Sequence, residues 1–184
     1  MKKHISTIIA ILVFITGLSL LLYPTVSNYW NSKHQTAVVA NYTDTLAKMD
    51  DKDRQAAIDS AVSYNTGLVS NSGRFTPSDS DLSLYKSLLN ADGTGMMGYI
   101  TIPEIRCKLA IYHSVDDSAL QVGVGHLEGS SLPVGGSSTH CVISGHRGLP
   151  SARLFTDIDR LEKGDLFYLH VYGKVLAYEV DKIT

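Results

Sequence analysis

Cysteine is scarce in this chain: two occur among 184 residues, Cys107 and Cys141. That excludes a disulfide-stapled scaffold, and the pair lacks the spacing of a zinc site. One disulfide, two free core thiols or a nucleophile remain open; both cysteines sit in apolar, strand-like runs, which favours buried structural thiols. Charge of one sign is equally lacking, with 16 basic against 18 acidic residues and a net charge of −2. A chain without a strong basic excess gives no electrostatic case for nucleic acid as a partner. Tryptophan occurs once, against ten tyrosines. A phosphate loop is missing too, because Gly135-Gly136 is followed by no lysine or helix start at the needed spacing. The acidic pairs Asp50-Asp51 and Asp116-Asp117 read as solvated turn charges, since a calcium site wants several more oxygens. No metal and no cofactor is expected.

Long hydrophobic runs are absent except for one. Met1-Lys2-Lys3-His4 is a short basic start, and residues 5–23 then carry no charge. At about 1.5 Å rise per residue the run comes close to crossing a hydrocarbon core of roughly 30 Å. A cleaved signal peptide would carry a shorter apolar stretch and a small-x-small cleavage site. Leu22-Tyr23-Pro24-Thr25 offers none, so the expectation is an uncleaved single-pass anchor. The basic start stays in the cytoplasm and the rest is exported. Tyr29 and Trp30 fall where aromatic residues favour the membrane interface.

Residues 32–68 read as helical. Val38, Tyr42, Leu46 and Met49 recur at helical spacing. Asp50-Asp51 marks a break, and a second helix comes next, with Ala56, Ile58, Ala61, Val62 and Asn65 as its inner face and Gly67 as its stop. The expected role is a spacer holding a domain off the membrane. Residues 71–81 are polar and punctuated, hence a loop, and residues 82–89 form a short helix.

From Gly98 the pattern turns to β. Strands are expected over 99–102, 108–112, 139–144, 166–171 and 175–180, the last two joined as a hairpin at Tyr172-Gly173-Lys174. Residues 118–120 give a helical turn, 123–138 a long Gly/Ser-rich loop, and 150–161 a short helix begun by Pro150. Asp181-Lys182-Ile183-Thr184 carries no turn, no cap and no charged tail. A β-domain stopping mid-pattern would leave an open edge, so the expectation is a truncated domain, poorly stable on its own.

The most informative stretch is Ser144-Gly145-His146-Arg147-Gly148-Leu149-Pro150, with Leu154-Phe155-Thr156 shortly after it. An apolar run feeds a Gly-flanked histidine, whose unperturbed pKa of about 6.5 suits proton transfer. His126, in the Gly-rich stretch, reads as a loop-shaping residue; His113, His140 and His170 read as structural or surface residues.

Four ordered blocks resemble the sortases. They are Met97-Gly98-Tyr99-Ile100-Thr101-Ile102-Pro103-Glu104-Ile105, Leu109-Ala110-Ile111-Tyr112-His113, the stretch from Gly123-Val124-Gly125-His126 to Pro133-Val134-Gly135-Gly136, and the His146 block with Leu154-Phe155-Thr156. The last two look like class C, the pilus-assembling group. The resemblance implies a mainly β fold, a sortase-type β-barrel with added helices. It implies a cysteine transpeptidase of a Gram-positive surface that cleaves an LPXTG-like sorting signal and passes the acyl group to an amine, usually a pilin lysine. Pilins or other surface proteins bearing such signals are then the partners, beside the membrane. His146 would be the catalytic acid and base. The nucleophilic cysteine and the oxyanion arginine of the family match no position before Thr184, so the chain alone is expected to be inactive. Residues 1–4, 5–23, 24–92 and 93–184 would be the cytoplasmic start, the anchor, the helical spacer with its loop, and the first part of the catalytic barrel. Class C enzymes often plug the site with an Asp-Pro-aromatic lid. Here the loop reads Gly73-Arg74-Phe75-Thr76-Pro77, with Phe75 and Pro77 as the lid candidates but without that motif. The alternative reading is a membrane-tethered domain that binds sorting signals, or serves only structurally, without catalysis.

Overall fold

Helix-favouring residues, most of them apolar at first, run unbroken through the beginning of the chain. They fold as one helix, α1, Lys2–Ala47. The computed structural model describes residues 2–184; Met1 and the side chains of Lys2 and Lys3 lie outside the described residues, so the basic start is described only in part. Pro24 sits inside α1. It removes one backbone donor, yet the helix continues across it, so no structural break separates residues 5–23 from the remainder of α1. Among the described residues α1 is the one helix long and apolar enough to cross a membrane. Its apolar side chains from Ile5 to Val26 are exposed.

Gln35, Val39, Tyr42 and Leu46 are buried on successive turns of α1, and the helix packs on the sheet. The Gln35 side-chain oxygen accepts from the Ala110 N–H at 2.9 Å. The Tyr42 hydroxyl donates to the Met97 carbonyl at 2.8 Å and accepts from the Tyr172 N–H at 3.0 Å. A side chain that satisfies two buried backbone groups is costly to remove, which makes α1 part of the core. Arg54, on α2 (Asp51–Ser70), closes the end of α1 by donating to the Leu46 and Met49 carbonyls at 2.5 and 3.2 Å. In α2 the buried face is Ile58, Ala61, Asn65 and Leu68, while Ala56 and Val62 are exposed. The Asn65 amide decides this face: it donates to the Leu132 carbonyl at 3.1 Å and accepts from the Leu132 N–H at 2.7 Å. A capping box between Ser78 and Asp81 starts α3 (Asp79–Ser87) three residues earlier than hydrophobic spacing alone indicates.

The strands are β1 (Met96–Ile102), β2 (Cys107–His113), β3 (Val124–His126), β4 (Ile143–Ser144), β5 (Leu166–Val171) and β6 (Lys174–Glu179). They form one open sheet in the order β4-β3-β2-β1-β5-β6. β2 and β3 are parallel and every other pair is antiparallel. Tyr172 and Gly173, both with positive φ, make the tight turn between β5 and β6. A short helix, α4 (Asp117–Leu120), bridges β2 and β3 in the crossover that a parallel pair requires.

Three local expectations change. β3 lies inside the stretch read as a loop. The strand expected over 139–144 shrinks to β4, because loop hydroxyls take its backbone instead: His140 N–H donates to Ser131 Oγ at 3.2 Å and Val142 N–H to Ser130 Oγ at 3.1 Å. The helix expected over 150–161 is replaced by turns and one 3-10 turn, Ile158–Arg160. Leu154 has a left-handed φ of 35°, which an α-helix excludes, and the Phe155 N–H leaves the local chain to reach the His146 carbonyl at 3.1 Å.

Candidate active site

Two glycines determine how the chain reaches His146. Gly125 of β3 pairs with Ser144 of β4, and a Cβ on Gly125 would stand 2.2 Å from the Ser114 carbonyl oxygen. At Gly145 a Cβ would stand 2.7 Å from Phe155 Cδ2 and 2.8 Å from Val124 Cγ1. Only bare backbone passes between these groups. His146 therefore emerges half-buried just beyond the end of β4.

The loop after His146 is held by the residues of its own block. Phe155 N–H fixes the His146 carbonyl, Gly148 N–H donates to Thr156 Oγ1 at 3.2 Å, and Arg147 pairs with Asp159 at 2.6 Å. The exposed ion pair adds little energy but occupies the guanidinium next in sequence to His146. Helix α1 braces the same loop just past its apolar run. Ser27 Oγ and Asn31 Nδ2 donate to the Ser151 carbonyl at 3.0 and 2.5 Å, and Arg153 N–H donates to Asn28 Oδ1 at 3.0 Å. Among the described residues no protein group bonds the His146 imidazole.

Beside this loop an apolar cavity of about 480 Å³ opens on the sheet, lined in part by Ile143, Phe155, Leu132, Phe167 and Cys141. Cys141 is half-buried and unpaired, and burial holds its thiol up to about 12. Cys107, buried in β2 with its Sγ 4.0 Å from the Leu154 carbonyl oxygen, is likewise pushed up by burial to about 12. A reactive cysteine needs the opposite shift, so both behave as structural thiols.

Phe75 and Pro77 lie elsewhere. Phe75 is exposed, with the Arg74 guanidinium 5.0 Å from its ring centre. Arg74 and Phe75 rest on Gly129: a Cβ there would stand 2.4 Å from the Arg74 carbonyl oxygen, and its φ is +84°. Pro77 is half-buried and precedes the cap of α3. Neither residue lines the apolar cavity.

His126 is fully buried in β3. Its Nε2 faces the Ser131 carbonyl at 2.8 Å and its Nδ1 faces the Tyr85 hydroxyl at 3.0 Å. Tyr85 also accepts from the Ser114 N–H at 3.1 Å. A neutral ring donating from Nε2 and accepting at Nδ1 satisfies this arrangement. Burial first, and His113 nearby, hold the His126 pKa down to about 4. The unfolded chain's imidazole titrates near 6.5. Above about pH 6.5 both states are neutral and the stabilising contribution is complete. Between about 6.5 and 4 only the unfolded chain takes up the proton, so stability falls as pH falls, by at most about 3 kcal/mol. Urea unfolding at pH 7 and pH 4.5 checks this: the wild type should lose more than His126→Gln, and parallel losses would assign the effect to other groups.

His113 and His170 serve the frame. Both ring nitrogens of His113 approach carbonyls, Gly95 O and Leu88 O, at 2.8 Å. His170 stacks on Tyr99 with ring centres 4.2 Å apart. Among the described residues no group of three or more His, Cys, Asp or Glu is placed to hold a metal ion. Periodicity could not reveal the role of Phe155 and Thr156 in holding the His146 loop; their place in a family block was the available signal.

Comparison with known proteins agrees with this geometry. The sortase-domain family model matches residues 100–184. No curated protein matches the chain. The solved structure of sortase C1 from Streptococcus agalactiae is similar at 42% identity and a TM-score of 0.77, covering 79% of this chain and 76% of that one. Streptococcus pneumoniae sortase C, described with respect to its catalysis and pilin substrate specificity, is similar at 38% identity and a TM-score of 0.68, covering 80% and 75%. Sortase C-1 from Actinomyces oris is similar at 41% identity and a TM-score of 0.65, covering 71% and 75%. The sortase-domain match, identity of 42% over most of both chains and a TM-score of 0.77 lead to one conclusion: this chain belongs to the sortase family, in its class C branch.

Proposed function

We propose that this protein is a membrane-anchored cysteine transpeptidase that cleaves an LPXTG-like sorting signal and joins the acyl group to an amine, a lysine of a pilin subunit. The observation that carries the reading is the His146 imidazole: half-buried, unbonded to protein, and held by a loop pinned at Phe155, Thr156 and α1. The apolar run of α1 crosses the membrane with the basic start inside and the β-domain outside. The pilin substrate of the pneumococcal relative supports the choice of acceptor.

In this reading a thiolate attacks the carbonyl carbon of the signal's threonine. An arginine stabilises the oxyanion. As the tetrahedral species collapses, His146 gives its proton to the departing amine nitrogen, and the acyl group stays on sulfur as a thioester. The acceptor amine then attacks the thioester, His146 takes the amine's proton, and thiolate leaves as the new amide forms. Cys107 and Cys141 do not meet the needs of the nucleophile, nor does Arg147, paired with Asp159, meet those of the oxyanion arginine. The family resemblance implies both groups, and the reading assigns neither to Cys107, Cys141 or Arg147. Phe75, seated with Arg74 on Gly129, and Pro77, beside the cap of α3, act on substrate approach and not by lining the apolar cavity.

The test uses the enzyme encoded by the complete gene, in detergent, with an LPXTG-like peptide and a lysine-bearing pilin fragment. Mass spectrometry should show the acceptor joined to the peptide through threonine, with the residues after threonine released. Release without any joined product would overturn the transpeptidase reading.

A further inference from the structure

A second cavity, separate from the apolar one beside His146, lies where α1 leaves its apolar run. This cleft of about 710 Å³ opens between α1, the turn from β1 to β2, and the loop that begins at Ala152. Four cationic side chains line it, Arg106, Lys108, Arg153 and Arg160, against two carboxylates, Glu104 and Asp157. Asp157 already pairs with Arg153. Lys108 lies with its Nζ 4.9 Å from the Tyr99 ring centre. Arg106 and Arg160 are exposed and, among the described residues, form no ion pair. The local balance is positive although the whole chain is slightly negative.

The floor of the cleft holds an unused donor. Gln35 lines it and is only 6% exposed. Its oxygen is fixed by the Ala110 N–H, so the amide cannot turn over without losing that bond. Its Nε2 is buried and has no hydrogen-bond partner among the described residues. An unpaired buried donor costs about 1–3 kcal/mol, and an acceptor oxygen entering the cleft would remove that cost. A buried amide N–H with an excess of cationic side chains over carboxylates at the rim makes a net-positive site, which favours an oxyanion.

Position selects the source of that anion. Asn28, Asn31 and Ser32 of α1 line the same cleft. Tyr29 and Trp30, on the same turns, are 64% and 75% exposed and mark the headgroup level. Gln35 is then roughly 8 Å farther along the helix than Trp30, at about 1.5 Å per residue. Arginine side chains at the rim reach back over that distance to headgroups.

We infer that this cleft binds the phosphate of an anionic lipid headgroup in the leaflet around α1. The inference rests on the proposed membrane crossing of α1. Bound lipid would seat the domain on the bilayer and hold the Ser151–Arg153 contacts of α1 at a fixed height. That loop leads from His146, so the same seat sets the height of the imidazole above the membrane.

The test reconstitutes the full chain in nanodiscs of mixed phosphatidylcholine and phosphatidylglycerol, and counts lipids retained on the protein by native mass spectrometry. The comparison is the double variant Arg106→Gln/Arg160→Gln, two exposed changes that leave the core untouched. The wild type should retain phosphatidylglycerol roughly tenfold better than the variant, with phosphatidylcholine retention equal. Equal phosphatidylglycerol retention overturns the inference while the chain's presence in the discs upholds the membrane reading; a chain that fails to enter the discs overturns both. Inorganic pyrophosphate added to phosphatidylcholine-only discs examines a soluble source. Its uptake by the wild type, without phosphatidylglycerol enrichment in the mixed discs, would overturn the lipid assignment.

Discussion

His146→Ala in the complete enzyme should lower kcat/KM for transpeptidation by roughly 10²- to 10⁴-fold, the range over which a positioned acid–base group acts. The loss should fall on kcat, because the imidazole moves protons at the reacting atoms and contributes little to holding the peptide. The fold should not respond. The ring is half-buried and bonds no protein group among the described residues, so the melting temperature should move by no more than a degree or two. His146→Gln, similar in length but unable to titrate, should be equally slow. A variant that joins peptides within about threefold of the wild-type rate would remove this residue from the mechanism.

Gly125→Ala should destabilise the protein by about 3 kcal/mol or more. The obstruction is backbone, since the new Cβ would stand 2.2 Å from the Ser114 carbonyl oxygen and 3.1 Å from Val115 Cα. No rotamer change relieves a main-chain contact. The only relief is for β3 to move away from the segment that leaves β2, and β3 also carries the pairing of Gly125 with Ser144 that aims His146. For a chain of this size the melting temperature should drop by roughly 6–12 °C. Activity should fall further than stability alone accounts for. Gly67→Ala is the control: it sits within α2 with no atom within 4 Å of the new Cβ, and should stabilise by up to about 1 kcal/mol. If both substitutions behaved alike, close approach at Gly125 would not be the reason for its glycine.

Several elements were legible because their causes are local. The short apolar runs in Met96–Ile102 and Cys107–His113, and the Tyr172-Gly173 turn with both φ positive, need only sequence neighbours. The same holds for the uncharged run that makes α1 a candidate span, and for the residue types of the His146 block. β3 was not legible. Val124–His126 is three residues long, contains a glycine and forms its parallel pairing with β2 across an intervening helix. The helical pattern of 150–161 was real as a pattern, but the Phe155 N–H has a better partner in the His146 carbonyl.

The sequence by itself determined where hydrophobicity, turns and a titratable imidazole fall, and through the ordered blocks it determined the family. Tertiary structure alone decided that Gln35 and Tyr42 belong to the core, that two glycines admit backbone at van der Waals limits, and that a positive cleft forms at the foot of α1. The physical reason is that periodicity is set by adjacent residues, whereas buried polar groups must find partners wherever the fold brings them; Gln35 finds its partner 75 residues away and Tyr42 one of its partners 130 residues away.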